Sequence, residues 1–136
     1  MIIKSIGHTG YRCKDMEKSL HFYCDVLGLK RVFDIPKEDG TPWIIYLKVC
    51  DRQFIELFYV TDDMLPFALE KLSYQHICLE VYDMQAAVEE IRKTGYPIDR
   101  EPKQGADGNW QAWVVDPDGN RIELMQISPT SKQANS

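Results

Sequence analysis

The chain has 136 residues, 44% apolar and 27% charged, with a formal net charge of −5. That suits one domain with its own core and excludes intrinsic disorder. The negative balance argues against nucleic acid or an anionic membrane as partner. No apolar run approaches a transmembrane span or a signal-peptide core, so a cytoplasmic location is expected.

The first strand is expected around His8. Asp15 then offers an N-cap, and Leu20, Tyr23 and Leu27 share one helical face before Gly28 ends the turn. Three segments rich in β-branched and aromatic residues follow: LKRVFDI, WIIYLKVC and QFIELFYV. Residues 61–73 read as a helical or irregular linker. A strand around His76 leads to Asp83, a second N-cap, with Met84, Val88 and Ile91 inward and Gly95 as the stop. The short PIDR, then NWQAWVVD and NRIELMQI, predict three more strands. Asp116-Pro-Asp-Gly-Asn between the last two is a hairpin signal. Trp43, Trp110 and Trp113 fall in these strands and are expected mainly in the core, one of them a candidate pocket wall. The polar tail, 128–136, is expected to be flexible. Cys13, Cys24, Cys50 and Cys78 lack C-x-x-C spacing and read as small packing residues without a catalytic role.

That order is one pattern written twice. His8, Asp15 and Met16 match His76, Asp83 and Met84 at an offset of 68 residues, and Glu56 matches Glu123 at 67. Both glutamates sit inside Ile-Glu-Leu. In a strand, the Ile and Leu of such a triplet share one face and the Glu turns to the other. An α+β fold is therefore expected: two βαβββ modules, about 1–60 and 74–127, within a single domain 1–127.

If the modules pair by a two-fold operation, the two histidines and two glutamates converge. Neutral imidazoles with carboxylates suit Ni²⁺, Zn²⁺, Co²⁺ or Fe²⁺ better than Ca²⁺ or Mg²⁺. A cation would also offset the cost, several kcal/mol, of a carboxylate on an enclosed face. A single histidine near a strand end is more often a hydrogen-bonded structural residue, and a single glutamate in such a triplet more often faces water. Here that reading would have to hold four times in register. His21, mid-helix and without a counterpart, is read as structural.

HTGYR at 8–12, EKSLHFYCDVLGLKRV at 17–32, FIELF at 54–58, QHICLEV at 75–81 and DPDGNRIELMQ at 116–126 together carry a resemblance. They resemble the vicinal oxygen chelate superfamily and, within it, bacterial glyoxalase I. The resemblance implies paired modules in a cupped mixed sheet around an octahedral metal, held by His8, Glu56, His76, Glu123 and two waters. It implies Ni or Co as the favoured metal, with Zn or Fe possible. The implied substrate is the hemithioacetal of methylglyoxal and a thiol cosubstrate, glutathione or another, converted to a 2-hydroxyacyl thioester. Glu123 matches the family's main proton-shuttling base, and Glu56 is the second catalytic carboxylate, expected to act on the other face of the substrate. A homodimer is also implied, with His8 and Glu56 from one subunit and His76 and Glu123 from the other.

Arg12, four residues after His8, matches an arginine that grips glutathione's carboxylate; a plain surface arginine is the alternative. Val60 stands where the family places an asparagine for the glutathione backbone, a departure that bears on which thiol is used. Lys103, in the loop EPKQGADGN, is either an anion-binding residue or a solvated lysine. Two other readings are another metal-dependent enzyme of the superfamily, an epimerase or a dioxygenase, and a non-catalytic sequestering protein. A fourth charged ligand at Glu56 favours the isomerase over both.

Overall fold

Backbone contacts divide the chain into two compact units, Met1–Glu70 and Lys71–Ser136. The structure, a computed structural model, describes residues 7–60, 76–106, 108–131 and 134–135. The expected linker at 61–73 lies outside the described residues.

The first unit runs β1 (His8–Cys13), α1 (Met16–Leu20) continued by a π-helical segment (His21–Val26), β2 (Lys30–Pro36), β3 (Pro42–Cys50) and β4 (Gln53–Tyr59). Its sheet order is β1-β4-β3-β2, with β1 parallel to β4 and the other pairs antiparallel. Alternation along the strands sends Tyr11, Ile45, Leu47, Ile55 and Leu57 to one buried face. The helix covers that face, and Tyr23 stacks on Tyr11 with ring centroids 6.1 Å apart. Asp15 caps the helix as expected, its Oδ1 accepting from Lys18 N at 3.1 Å.

The buried stripe of this helix is not the expected one. Met16, Ser19, Phe22, Tyr23 and Val26 are buried, whereas Leu20 and Leu27 are only half-buried. The cause is the wider π turn: Leu27 N–H donates to Phe22 O, five residues back, at 3.0 Å. The extra residue per turn rotates the apolar stripe away from α-helical spacing. Gly28, at φ +76°, then lets Leu29 N–H close the end on Tyr23 O.

The second unit repeats the plan with β5 (Ile77–Glu80), α2 (Met84–Lys93), β6 (Arg100–Gln104), β7 (Trp110–Val115) and β8 (Arg121–Gln126). Its order is β5-β8-β7-β6, with β5 parallel to β8. Met84, Val88 and Ile91 are buried as expected, Asp83 Oδ1 accepts from Ala86 N at 2.8 Å, and Gln126 Oε1 accepts from Met84 N at 2.8 Å. Each unit is thus a βαβββ module, and the fold is α+β. Among the described residues no helix is long and apolar enough to cross a membrane.

Three expectations are corrected. The strand placed at 97–100 begins instead at Arg100 and continues to Gln104. Pro97 has no N–H for a ladder, and the chain joins β7 only from Asp99, whose N–H donates to Trp113 O at 2.8 Å. Lys103 therefore lies on β6, opposite Gln111, and not in a loop. The tryptophans lie in strands but not in the core: Trp43 and Trp110, near strand starts, are 40% and 41% exposed, and Trp113 is half-buried. Apart from these three, beyond β8 the Ser128 N–H donates to the buried Asn109 Oδ1 at 2.9 Å, and Ser131 is buried.

The β7–β8 turn is organised by one buried carboxylate. Asp116 Oδ1 accepts from Asp118 N and Asn120 N, and Oδ2 accepts from Asn120 Nδ2. Asp116→Ala is expected to lower the unfolding free energy by about 3 kcal/mol in urea titrations, because charge-assisted bonds are lost. Asp116→Asn, which keeps one acceptor oxygen, is expected to lose less.

Candidate functional site

On β1, His8, Gly10 and Arg12 share the sheet face opposite to Tyr11 and Cys13. Parallel pairing sets Gly10 beside Glu56 and His8 beside Phe54, so His8 and Glu56 are diagonal neighbours on that face. Their side chains meet, with His8 Nε2 3.5 Å from Glu56 Oε2. The second unit makes the same arrangement. Cys78 pairs with Glu123, His76 stands two residues earlier, and its Nε2 lies 3.1 Å from Glu123 Oε2. Both carboxylates are buried, Glu56 at 6% and Glu123 at 5% exposure.

The spacing within each pair suits a shared cation. Two donors each about 2.1 Å from one ion stand about 3.0 Å apart at a right angle and about 3.4 Å apart at the tetrahedral angle. The observed 3.5 and 3.1 Å lie close to these values. A proton shared between imidazole and carboxylate would also be compatible with them. Among the described residues no three His, Cys, Asp or Glu side chains gather. Each unit thus brings together one imidazole and one carboxylate, half of the donor set named from the sequence.

Two aromatic residues face the glutamates: Tyr46, overlooked in the sequence, and Trp113, one of the tryptophans named there. Tyr46 stands opposite Glu56 and Trp113 opposite Glu123. The His8 ring meets Tyr46 edge-on at 6.2 Å, and the His76 ring meets Trp113 edge-on at 5.0 Å. Interaction with the facing Glu56 carboxylate, then burial, pushes the Tyr46 phenol above its ordinary pKa. The Arg121 guanidinium lies 4.5 Å from the centre of the Trp113 ring. A signal existed: an aromatic residue stands ten positions before each glutamate. Gly10 matters for space, since a Cβ there would come 3.0 Å from Phe58 Cε2 and 3.5 Å from Glu56 Oε2.

Arg12 is exposed and lines a cleft of about 390 Å³ with Gly10, Tyr11, Trp43, Phe58 and Tyr59. Trp43 and Phe58 meet edge-on at 6.3 Å, giving the cleft an aromatic wall beside one cation. Val60 follows directly on β4 and offers no side-chain hydrogen bond. Lys103 is exposed on β6 in the other unit.

Comparison with known proteins identifies the family. A probable lactoylglutathione lyase from Synechocystis is 36% identical over 129 residues, covering 89% of this chain and 94% of that protein. A lactoylglutathione lyase from Neisseria meningitidis is 36% identical over 123 residues, covering 88% of each. Among solved structures, the trypanothione-dependent glyoxalase I of Leishmania major superposes with a TM-score of 0.70 at 29% identity, covering 91% of this chain and 87% of that one. Residues 5–124 match the family pattern itself, and the chain belongs to the Glyoxalase/Bleomycin resistance protein/Dioxygenase superfamily.

Proposed function

We propose that the chain is a glyoxalase I-type lyase with one divalent transition metal, Ni²⁺ or Co²⁺ by preference, at His8, Glu56, His76 and Glu123. It would act in the cytoplasm on the hemithioacetal of a 2-oxoaldehyde and a thiol, forming the 2-hydroxyacyl thioester. The observation that carries the reading is the twice-repeated imidazole–carboxylate pair, buried on its carboxylate side and spaced as neighbouring ligands of one ion. The relatives' names supply the reaction. A cation at these ligands would polarise the two vicinal oxygens of the substrate as a Lewis acid.

The remaining chemistry belongs to side chains. Glu123 takes the proton from C1 of the hemithioacetal and returns it to C2 while the hydroxyl proton passes from the C1 oxygen to the C2 oxygen, so the isomerisation proceeds without net oxidation. Glu56 is a ligand and the second catalytic carboxylate, acting on the other face of the substrate. Arg12, at the aromatic cleft, binds a carboxylate of the thiol. Val60 removes one amide contact from that thiol, and the relatives' names already span glutathione and trypanothione. An assay with methylglyoxal and a panel of thiols identifies the cosubstrate. Turnover with none of them, in metal-loaded protein, would overturn the lyase reading.

Three outcomes are expected. Metal-loaded protein should hold about one Ni²⁺ or Co²⁺ per chain and show more activity with them than with Mg²⁺, measured by elemental analysis and turnover. Glu123→Gln should keep the fold and lose at least about 10²–10⁴-fold in kcat, since an amide accepts no proton. We also propose a homodimer in which His8 and Glu56 of one chain join His76 and Glu123 of the partner chain. Chains carrying His8→Ala with Glu56→Ala, refolded together with chains carrying His76→Ala with Glu123→Ala, should then regain activity through one intact site per mixed dimer. Mixed dimers that form and stay inactive would place all four ligands on one chain.

A further inference from the structure

The two modules set different side chains around the aromatic residue that faces each glutamate. In the first unit, Phe33 stands opposite Tyr46, and Phe54 lies two residues before Glu56 on the same strand face. Phe33 stacks on Tyr46 at 4.3 Å, and Phe54 meets it edge-on at 6.1 Å. In the second unit, Arg100 stands opposite Trp113, and Arg121 lies two residues before Glu123 on the same strand face. Phe33, Tyr46 and Phe54 match Arg100, Trp113 and Arg121 at the offset of 67 that relates the two glutamates. Where the first unit has two phenyl rings, the second has two guanidinium groups.

Arg121 is half-buried, with its guanidinium 4.5 Å from the centre of the Trp113 ring. The His76 imidazole meets the same ring edge-on at 5.0 Å, so this cation stands beside the imidazole–carboxylate pair. Among the described residues no salt bridge engages Arg100 or Arg121. The acidic groups of this face are Glu123, which meets His76, and Glu80 on β5, the edge strand opposite to the one bearing Arg100. Stacking on an indole fixes the plane of a guanidinium and leaves its N–H edge for bonding. That fork of donors matches a carboxylate, which it binds through two parallel, charge-assisted bonds. We propose that Arg121 and Arg100 form an anion site for a carboxylate carried by the oxoaldehyde part of the substrate. The inference rests on the lyase reading above, in which Arg12, at the first unit's cleft, serves the thiol. Two residues along a strand span about 6.6 Å. A short alkyl chain therefore separates the acid group from the carbons that react beside Glu123.

The test assays metal-loaded protein with one thiol and two aldehydes: methylglyoxal, and 4,5-dioxopentanoate, which carries a carboxylate on a short chain. The wild type should prefer the acidic aldehyde in kcat/KM by about 10–100-fold, the worth of a charge-assisted contact. Arg121→Gln should abolish that preference and Arg100→Gln should reduce it. Arg121→Lys, which keeps the charge and loses the fork, should retain part of it. A wild type that favours methylglyoxal, or an undiminished preference in Arg121→Gln, would overturn the anion site and leave the lyase reading standing. If a thiol without a carboxylate cancels the effect of Arg121→Gln, the cations serve the thiol and the assignment is equally overturned. Binding is read separately, by tryptophan fluorescence of metal-free protein titrated with levulinate and with 2-pentanone, its neutral counterpart. Saturable quenching by levulinate, absent with 2-pentanone and lost in Arg121→Gln, supports the site even where no thiol gives turnover and the lyase reading falls. Equal responses to the two ketones would overturn the site. Should Arg121→Gln fail to fold, the exposed Arg100 carries both tests as Arg100→Gln. An unchanged preference and unchanged quenching in that variant would contradict the assignment.

Discussion

In each module the first strand pairs in parallel with the last, and that pairing positions the site. β1 lies beside β4, and β5 beside β8, although a helix and two further strands intervene in sequence. Parallel pairing demands a crossover of this kind, which the helix supplies. The pairing puts the histidine diagonally across from the glutamate on the same face, where two long side chains reach one another. A slip of one residue would turn the glutamate to the helix side and the leucine to the histidine.

What prevents the slip is apolar burial. Ile55, Leu57 and Ile122 are fully buried and Leu124 nearly so, all on the helix-covered faces. Each such side chain contributes about 1.5–3 kcal/mol when buried. The Ile and Leu flanking each glutamate together match the several kcal/mol that an enclosed carboxylate costs. The carboxylate is thus carried into its position by its neighbours, and an imidazole facing it offsets part of the remainder. The arrangement explains why Ile-Glu-Leu occurs twice: the apolar residues hold the register and the glutamate uses it.

Much of this was legible in the sequence because it is periodic or local. Asp15 and Asp83 cap their helices as their positions implied, and the alternation in β4 and β8 marks both faces correctly. The repeat assigned one histidine and one glutamate to each module; that the two side chains meet within a module became visible only through the strand register. Other features depended on packing that single residues do not announce. Nothing in HFYCDV marks a π turn, so Leu20 and Leu27 looked inward when Met16, Ser19 and Val26 are. Large aromatic rings suggested a core for Trp43 and Trp110, which instead lie exposed near the starts of their strands. Tyr46 was passed over because it meets Glu56 only through cross-strand register, which sequence order does not display.

In the proposed function, two half-sites of one imidazole and one carboxylate each serve a single metal centre. Calorimetric titration of apo-protein with Ni²⁺ tests it most directly, comparing the wild type with chains carrying His8→Ala and Glu56→Ala, or His76→Ala and Glu123→Ala. The account predicts one ion per wild-type chain and loss of tight binding when either pair is removed. Two ions per chain, or one pair binding as tightly after the other is deleted, would contradict it.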